Sequence, residues 1–251
     1  MRRRERALAA RDPVMARLIA AAGPCKWEPQ LELHPFETLA RAIAHQQLNG
    51  VAAERIFSRF KALYSPTTFP EPAAVLATPE AALRATGLSF AKIRALHDLA
   101  EKVAAGVVPT TQQLHALESD AIIERITQVR GIGRWTVEML LMFQLGRPDV
   151  LPVNDFGVCN GFRLMYGLKG MPHPRALAEF GARWAPHRSL AAWYLWRAVD
   201  LARAQKLPSA GRAPRIAIRQ KRAQPTPGKS ARRSVRGKTT TRKALRKARQ
   251  R

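Results

Sequence analysis

Apolar side chains recur at helical spacing along most of this chain. Phe36, Leu39 and Ile43 fall on one stripe that Gln47 continues, and Ile93, Leu96, Leu99 and Val103 form another. Spacings of three and four place such residues on one face of a helix. Pro13, Pro35, Pro79 and Pro174 sit where helices should begin, because a missing N–H costs little in a first turn. Residues 79–87 read as a short helix stopped by Gly87, a favoured C-terminal stop. Further helices are predicted over 121–128 behind Ser119-Asp120, and over 134–145, 155–166, 174–184 and 187–203. Alternation of the strand type is confined to Ile216-Ala217-Ile218. The fold class expected is all-α.

Between two of these helices lies the most telling punctuation, Gly131-Ile132-Gly133 followed by Arg134-Trp135-Thr136. Two glycines one residue apart let the backbone turn tightly and approach a ligand closely. The helix that starts there leaves its first amide N–H groups unpaired, which suits phosphate oxygens. Past the helix the chain turns at Pro148 and Pro152, and Asp155 arrives 20 positions after Trp135. A phosphate grip and an acid at fixed separation point to chemistry on a nucleic acid. The plainer role for Asp155 is an N-cap, since Asp commonly opens helices and an apolar run follows. The two roles are compatible.

Charge sharpens the picture. The 251 residues carry 43 Lys and Arg against 18 Asp and Glu, and no acidic residue follows Asp200. The stretch from Lys206 to the end is rich in Lys, Arg, Pro, Ser, Thr and Gly and poor in large apolar groups. It cannot bury enough surface to offset the entropy of ordering, so residues 206–251 are expected to be a disordered basic tail drawn to polyanions. A purely solubilising or addressing role for that tail fits the composition as well. Residues 1–34 are expected to be an N-terminal helical segment and 35–205 the core. Cys25 and Cys159 are too few for a four-cysteine iron–sulfur or zinc site, so no such cluster is expected. Two buried thiols in a reducing compartment are expected in place of a disulfide. The six histidines are scattered without i,i+4 pairing, and no Gly-x-x-x-x-Gly-Lys loop is present, which leaves metal hydrolysis and nucleotide hydrolysis without support. No window reaches 18 continuous apolar residues and no secretory signal is legible, so no membrane association is expected. The expected location is intracellular, in the cytoplasm or nucleoid, or the nucleus of a eukaryote.

The hairpin with its aspartate resembles the helix-hairpin-helix DNA glycosylases, and Gly-Ile-Gly-Arg-Trp-Thr is similar to the DNA-3-methyladenine glycosylase II family, over roughly Pro35 to Leu201. The resemblance implies two interleaved helical subdomains with the DNA cleft between them, one a bundle holding the hairpin, the other made of the N-terminal helices and those after about Pro174. It implies that Asp155 is the catalytic acid. Strand-cleaving members carry a lysine nucleophile where this chain has Trp135, and neither Arg134 nor Thr136 can form a Schiff base. A monofunctional enzyme follows, which uses water to release alkylated purines, chiefly 3-methyladenine, in base excision repair and leaves an abasic site. Trp135, Phe156 and Trp196 should wall a pocket for the flipped base, with Met139 one turn beyond Trp135 where some members have tyrosine. For Trp196, ordinary core packing is an equal alternative.

Gln46, Gln47 and Leu48 correspond to the family's minor-groove stretch, with Gln47 or Leu48 as the wedge that fills the gap behind the flipped base. Gly131, Gly133, Arg134 and Thr136 should contact the DNA backbone. The main-chain carbonyls of Thr127, Val129 and Ile132 match the family's monovalent-cation site, the sole cofactor implied. Larger bacterial members carry an extra N-terminal β-rich domain, which is not expected here because about 34 residues precede Pro35. The expected partner is double-stranded DNA with alkylated bases, bound by a monomer. Two rivals stand beside this reading: a structure-specific DNA-binding protein without activity, and a bifunctional glycosylase for oxidised bases, which the missing lysine disfavours.

Overall fold

The computed structural model describes residues 2–29, 34–211 and 214–218. Among them it shows thirteen α-helices and a single isolated bridge between Pro172 and Ile218 in place of any strand, so the chain is all-α. The helices are α1 (Arg3–Arg11), α2 (Pro13–Ala22), α3 (Pro35–His45), α4 (Gly50–Ala62), α5 (Pro72–Ala77), α6 (Glu80–Ala85) and α7 (Phe90–Ala104). They continue as α8 (Thr111–Ala116), α9 (Ser119–Ile126), α10 (Arg134–Phe143), α11 (Phe156–Met165), α12 (Pro174–Gly181) and α13 (Arg188–Arg203), with a 3-10 turn at Ala182–Trp184.

Local chemistry accounts for the helix starts. Asp12 caps α2, Asn49 caps α4, Ser89 caps α7 and Asp155 caps α11, each accepting main-chain N–H bonds that a helix leaves open. The stripe over Phe36, Leu39 and Ile43 is buried as predicted, but α3 stops at His45. Gln47 takes a φ of 58°, in the left-handed region that few non-glycine residues occupy, so it leaves the stripe and turns outward.

The helices gather into two groups. One packs α3 on α4 and α7, with α5 and α6 also on α7 and α9 on α10. The other packs α1 and α2 on α13, and α11 against α13 along most of its length. The division expected near Pro174 therefore falls earlier, because α11 joins the second group. Two buried carboxylates lock the N-terminal helices to it. Asp12 accepts from Tyr166 Oη at 2.6 Å and Trp184 Nε1 at 2.9 Å, while Glu5 accepts from Tyr194 Oη at 2.9 Å and Cys25 N at 2.8 Å. Burial of this kind pushes both tyrosine hydroxyls above their ordinary range. Residues 1–34 thus belong to the second group's packing.

The chain beyond α13 differs from expectation as well. Gly211 N donates to Met165 O and His173 N donates to Ala217 O, each at 2.8 Å, and Leu207 and Ile216 pack on the core. The boundary expected at Lys206 moves past Ile218. The rest of the predicted tail, from residue 219, lies outside the described residues.

Candidate active site

The site is assembled where the α9–α10 hairpin, the end of α3 and the start of α11 meet. Gly131 adopts a φ of 79°, which favours glycine, and turns the chain toward α10. Gly133 is the N-cap of α10 and supplies no capping side chain. A Cβ built on Gly133 would meet nothing within 4 Å, so a ligand backbone has room to approach the first amides of the helix. Val129 and Ile132 are buried beneath the turn, and the Val129 carbonyl accepts the Ile132 N–H at 3.0 Å while keeping a second lone pair.

Asp155 is held by three N–H donors from three parts of the chain. Its Oδ1 accepts from Val158 N at 2.7 Å and from Trp196 Nε1 at 2.8 Å, and its Oδ2 accepts from Trp135 Nε1 at 2.8 Å. The first is the N-cap bond of α11, so the cap and the positioned acid are one and the same group. A carboxylate offers about four lone-pair sites. Three are occupied, which leaves one on Oδ2 for a water or a substrate atom. The close approach of Trp196 depends on Gly157, where an added Cβ would lie 2.6 Å from Trp196 Cδ1 and 2.9 Å from its Nε1. One turn further, a Cβ on Gly161 would run into the Leu195 carbonyl, so this Gly-x-x-x-Gly face lets α11 and α13 touch.

A cavity of about 540 Å³, lined mainly by apolar groups, is joined to this acid through Trp135, while Asp155 and Trp196 themselves are not among its lining residues. One wall is α3 (Thr38, Leu39, Ala42) and the other α10 (Trp135, Met139, Phe143). Gln46, Gln47 and Gly131 form part of its rim. Trp135 is 49% exposed and links the cavity to Asp155 through its indole N–H. Phe143 stacks on Trp196, ring centroids 5.7 Å apart. Trp196 therefore backs the cavity through Phe143 and fixes Asp155, a role between the two alternatives of core and pocket wall. His45 lines the cavity too, and burial with the nearby Arg41 holds its imidazole below the ordinary range, so it is neutral at pH 7.

The remaining expected site residues separate. Met139 and Thr136 line the cavity. Gln47 lies at its mouth as an exposed group, and Leu48, next in the chain and not among the lining residues, has 41% of its surface open. Gln46 is turned inward, its Nε2 donating to Gly131 O at 2.8 Å. Arg134 folds back along α10 to Glu138, Nε to Oε1 2.9 Å, and burial of that carboxyl raises its pKa against the pull of the guanidinium. Phe156 is not brought to the cavity; as the first residue of α11 it is 73% exposed. Thr127 closes α9, its hydroxyl donating to Ile123 O at 2.7 Å. Among the described residues no cluster of His, Cys, Asp and Glu could hold a metal ion, and both cysteines are buried outside any disulfide, the Cys159 thiol donating to Val153 O at 3.1 Å.

Sequence reasoning missed Phe143, Thr38 and Ala42 as cavity walls, since each reads as ordinary helical core. It also missed Gly157 and Gly161, for which the signal was present: two glycines four apart in a helix are costly unless another backbone must come close.

Known proteins resemble this chain in sequence and in fold. A family model described as HhH-GPD superfamily base excision DNA repair protein matches residues 40–187. DNA-3-methyladenine glycosylase 1 of Schizosaccharomyces pombe is 40% identical over 76% of this chain and 84% of its own length. An alkylbase DNA glycosidase-like protein of the same yeast, mag2, is 30% identical over 80% and 95%. Among solved structures, the S. pombe 3-methyladenine DNA glycosylase in complex with abasic DNA superposes with a TM-score of 0.69 at 38% identity, covering 80% of this chain and 98% of that one. A DNA-3-methyladenine glycosidase from Bacillus halodurans gives a TM-score of 0.74 at 32% identity, covering 82% and 94%. With a family model matched over more than half of its residues and relatives of 40% and 30% identity along most of its length, the chain belongs to the HhH-GPD superfamily of base excision DNA repair proteins and groups there with the DNA-3-methyladenine glycosylases.

Proposed function

We propose that this protein is a monofunctional DNA glycosylase that hydrolyses the N-glycosidic bond of alkylated purines, 3-methyladenine foremost, and works as a monomer on duplex DNA. The observation that carries the reading is Asp155, fixed by two indole N–H groups and its own helix with one lone-pair site free, with Trp135 bridging it to an aromatic-lined cavity. A cavity of about 540 Å³ falls within the usual range for small-molecule sites and is large enough for a purine flipped from the stack.

Breaking the bond from the sugar to a cationic base leaves the electron pair on the base, which departs neutral, while positive character grows on the sugar. A carboxylate fixed nearby stabilises that charge without having to reorient. Water then bonds to the sugar carbon, and its proton passes to the carboxylate or to solvent. No amine stands at the Trp135 position to attack the sugar in place of water, and the product is an abasic site. The Trp135 ring adds recognition, because an indole face attracts cations by up to about 2 kcal/mol when desolvated. The neutral state of His45 keeps a like charge out of the cavity.

Phosphate contacts fall to the amides after Gly133 and to Thr136, and the wedge to Gln47 or Leu48. A monovalent cation held by the carbonyls of Thr127, Val129 and Ile132 would add positive charge under the bound phosphate. The Val129 oxygen, with a lone pair to spare, is compatible with that role. The deciding experiment is Asp155→Asn on methylated duplex DNA, with released bases identified by mass. Base release should vanish while binding persists; release at the wild-type rate overturns the assignment.

A further inference from the structure

Four polar side chains between the wedge loop and the hairpin have no part in the chemistry above, yet they tie those two segments to one helix. The segments touch DNA at different places, one through the gap in the stack and one through a phosphate. Lys92 Nζ donates to Ala44 O at 2.7 Å, holding the end of α3 where its last carbonyls lack helical partners. Six residues further along α7, Asp98 accepts the Arg130 N–H at 2.6 Å and the Lys102 ammonium at 2.6 Å. Gln46 then closes the triangle, its amide donating to Gly131 O at 2.8 Å. The hairpin also packs directly on α7, for a Cβ on Gly131 would sit 3.6 Å from Ala95 Cβ.

The chemistry of each member suits fastening better than contact with DNA. Burial alone would raise the Asp98 pKa, but the Arg130 amide and Lys102 outweigh it and hold it below the ordinary carboxylate range. It is therefore a persistent anion at neutral pH. Lys102 neutralises it, so the charge does not oppose a phosphate at the adjacent turn. The Lys92 ammonium is partly desolvated, which lowers its pKa, and it is directed at a backbone carbonyl. Gln46 has its amide N–H committed to the hairpin, and the left-handed φ of 58° at Gln47 starts immediately after it. A strained residue persists where its surroundings over-determine it, and here the fixed neighbour does so.

We infer that Gln46 and Asp98 are positioning residues that join the wedge loop to the phosphate-gripping hairpin, so that extrusion of the base and capture of the strand occur as one event. This rests on the proposed glycosylase activity. Gln46 serves here to couple the two DNA-contacting segments, and the DNA contacts fall to its neighbours Gln47 and Leu48.

The test separates extrusion from chemistry. Gln46→Met keeps the length of the side chain and removes the donor. Its single-turnover rate of base release is measured on a lesion paired in duplex and on the same lesion in an unpaired bulge, where unstacking costs less. Loss of one net hydrogen bond predicts a rate about fivefold lower on the paired lesion. The loss should be smaller on the bulged one but not absent, because the place of Gln46 at the cavity rim acts on both substrates alike. Equal deficits on both substrates, or none on either, would overturn the coupling. Asp98→Ala should weaken binding of undamaged duplex about tenfold with the melting transition still cooperative, and Asp98→Asn, which keeps an acceptor for the Arg130 amide, should restore most of it. Wild-type binding by Asp98→Ala removes α7 from the scheme. Failure of the wild-type protein to release any base would count against the glycosylase reading, whereas a fully active Gln46→Met would count only against the coupling.

Discussion

Replacing Gly157 by alanine perturbs the acid without touching it. The new methyl would lie 2.6 Å from Trp196 Cδ1, 2.9 Å from Trp196 Nε1 and 3.2 Å from Asp155 Oδ1. Ordinary carbon contacts need about 3.5 Å, so the indole must retreat by roughly 1 Å. It cannot do so freely, because Phe143 is stacked on its other side at 5.7 Å between centroids. Its bond to Asp155, now 2.8 Å, would stretch to about 3.6 Å or more and cease to be a hydrogen bond. A bond to a charged group contributes about 1.5–3 kcal/mol, and a displacement of about 1 Å at a reacting centre can cost on the order of a hundredfold in rate. Gly157→Ala should therefore release 3-methyladenine from methylated duplex at least about tenfold more slowly in single turnover, with undamaged duplex bound as tightly as before. Trp196→Phe removes the same N–H without crowding, so the two changes should be far from additive when combined. Release at the wild-type rate by Gly157→Ala, in a protein that melts normally, would refute the claim that Trp196 orients the acid.

Three further outcomes follow from the same contacts. Asp12→Ala removes the N-cap of α2 and leaves the Tyr166 hydroxyl and Trp184 indole without acceptors, so chemical denaturation should show a loss of about 3–5 kcal/mol. His45 and His187 both have folded pKa values pushed below the ordinary 6.5 by burial, so the unfolded chain takes up protons first. Their stability contribution is complete above that value and falls as pH drops below it; His45→Gln with His187→Gln should flatten the decline of the melting temperature below about pH 6.5. Residues 219–251 contain 14 Lys and Arg, and each phosphate contact adds about 0.9 to the salt slope of binding. Ending the chain after Ile218 should lower that slope by several units if the segment meets DNA, and an unchanged slope would exclude it.

The division between what the sequence disclosed and what it withheld has a physical basis. Helices and their starts were legible because each depends on residues within a turn of one another: the stripe of α3, the prolines of α2, α3 and α12, and the Asp155 cap of α11. The hairpin was legible for the same reason, since Gly131 needs its positive φ whatever surrounds it. Long-range pairs were not. Gln46 looked like a DNA contact beside Gln47, but its acceptor, the Gly131 carbonyl, is 85 positions away. Phe156 looked like a pocket wall by adjacency to the acid, yet as the first residue of α11 its side chain stands 73% exposed and does not line the cavity. The tail was assigned from composition, and composition could not show that Leu207 and Ile216 find partners on the core.

Asp155 shows how far local rules reach. Its helix could be drawn from the sequence with the carboxylate as a cap, a group with one N–H partner. The fold adds two indoles, one from the hairpin helix 20 positions earlier and one from α13, 41 positions later. Trp196 could not reach the acid unless α11 and α13 approached each other as closely as Gly157 and Gly161 allow. The two glycines are thus as much a part of the candidate site as the acid, although they carry no chemistry of their own. A substitution that keeps every polar group but widens this crossing should leave a folded protein that binds DNA and releases bases poorly.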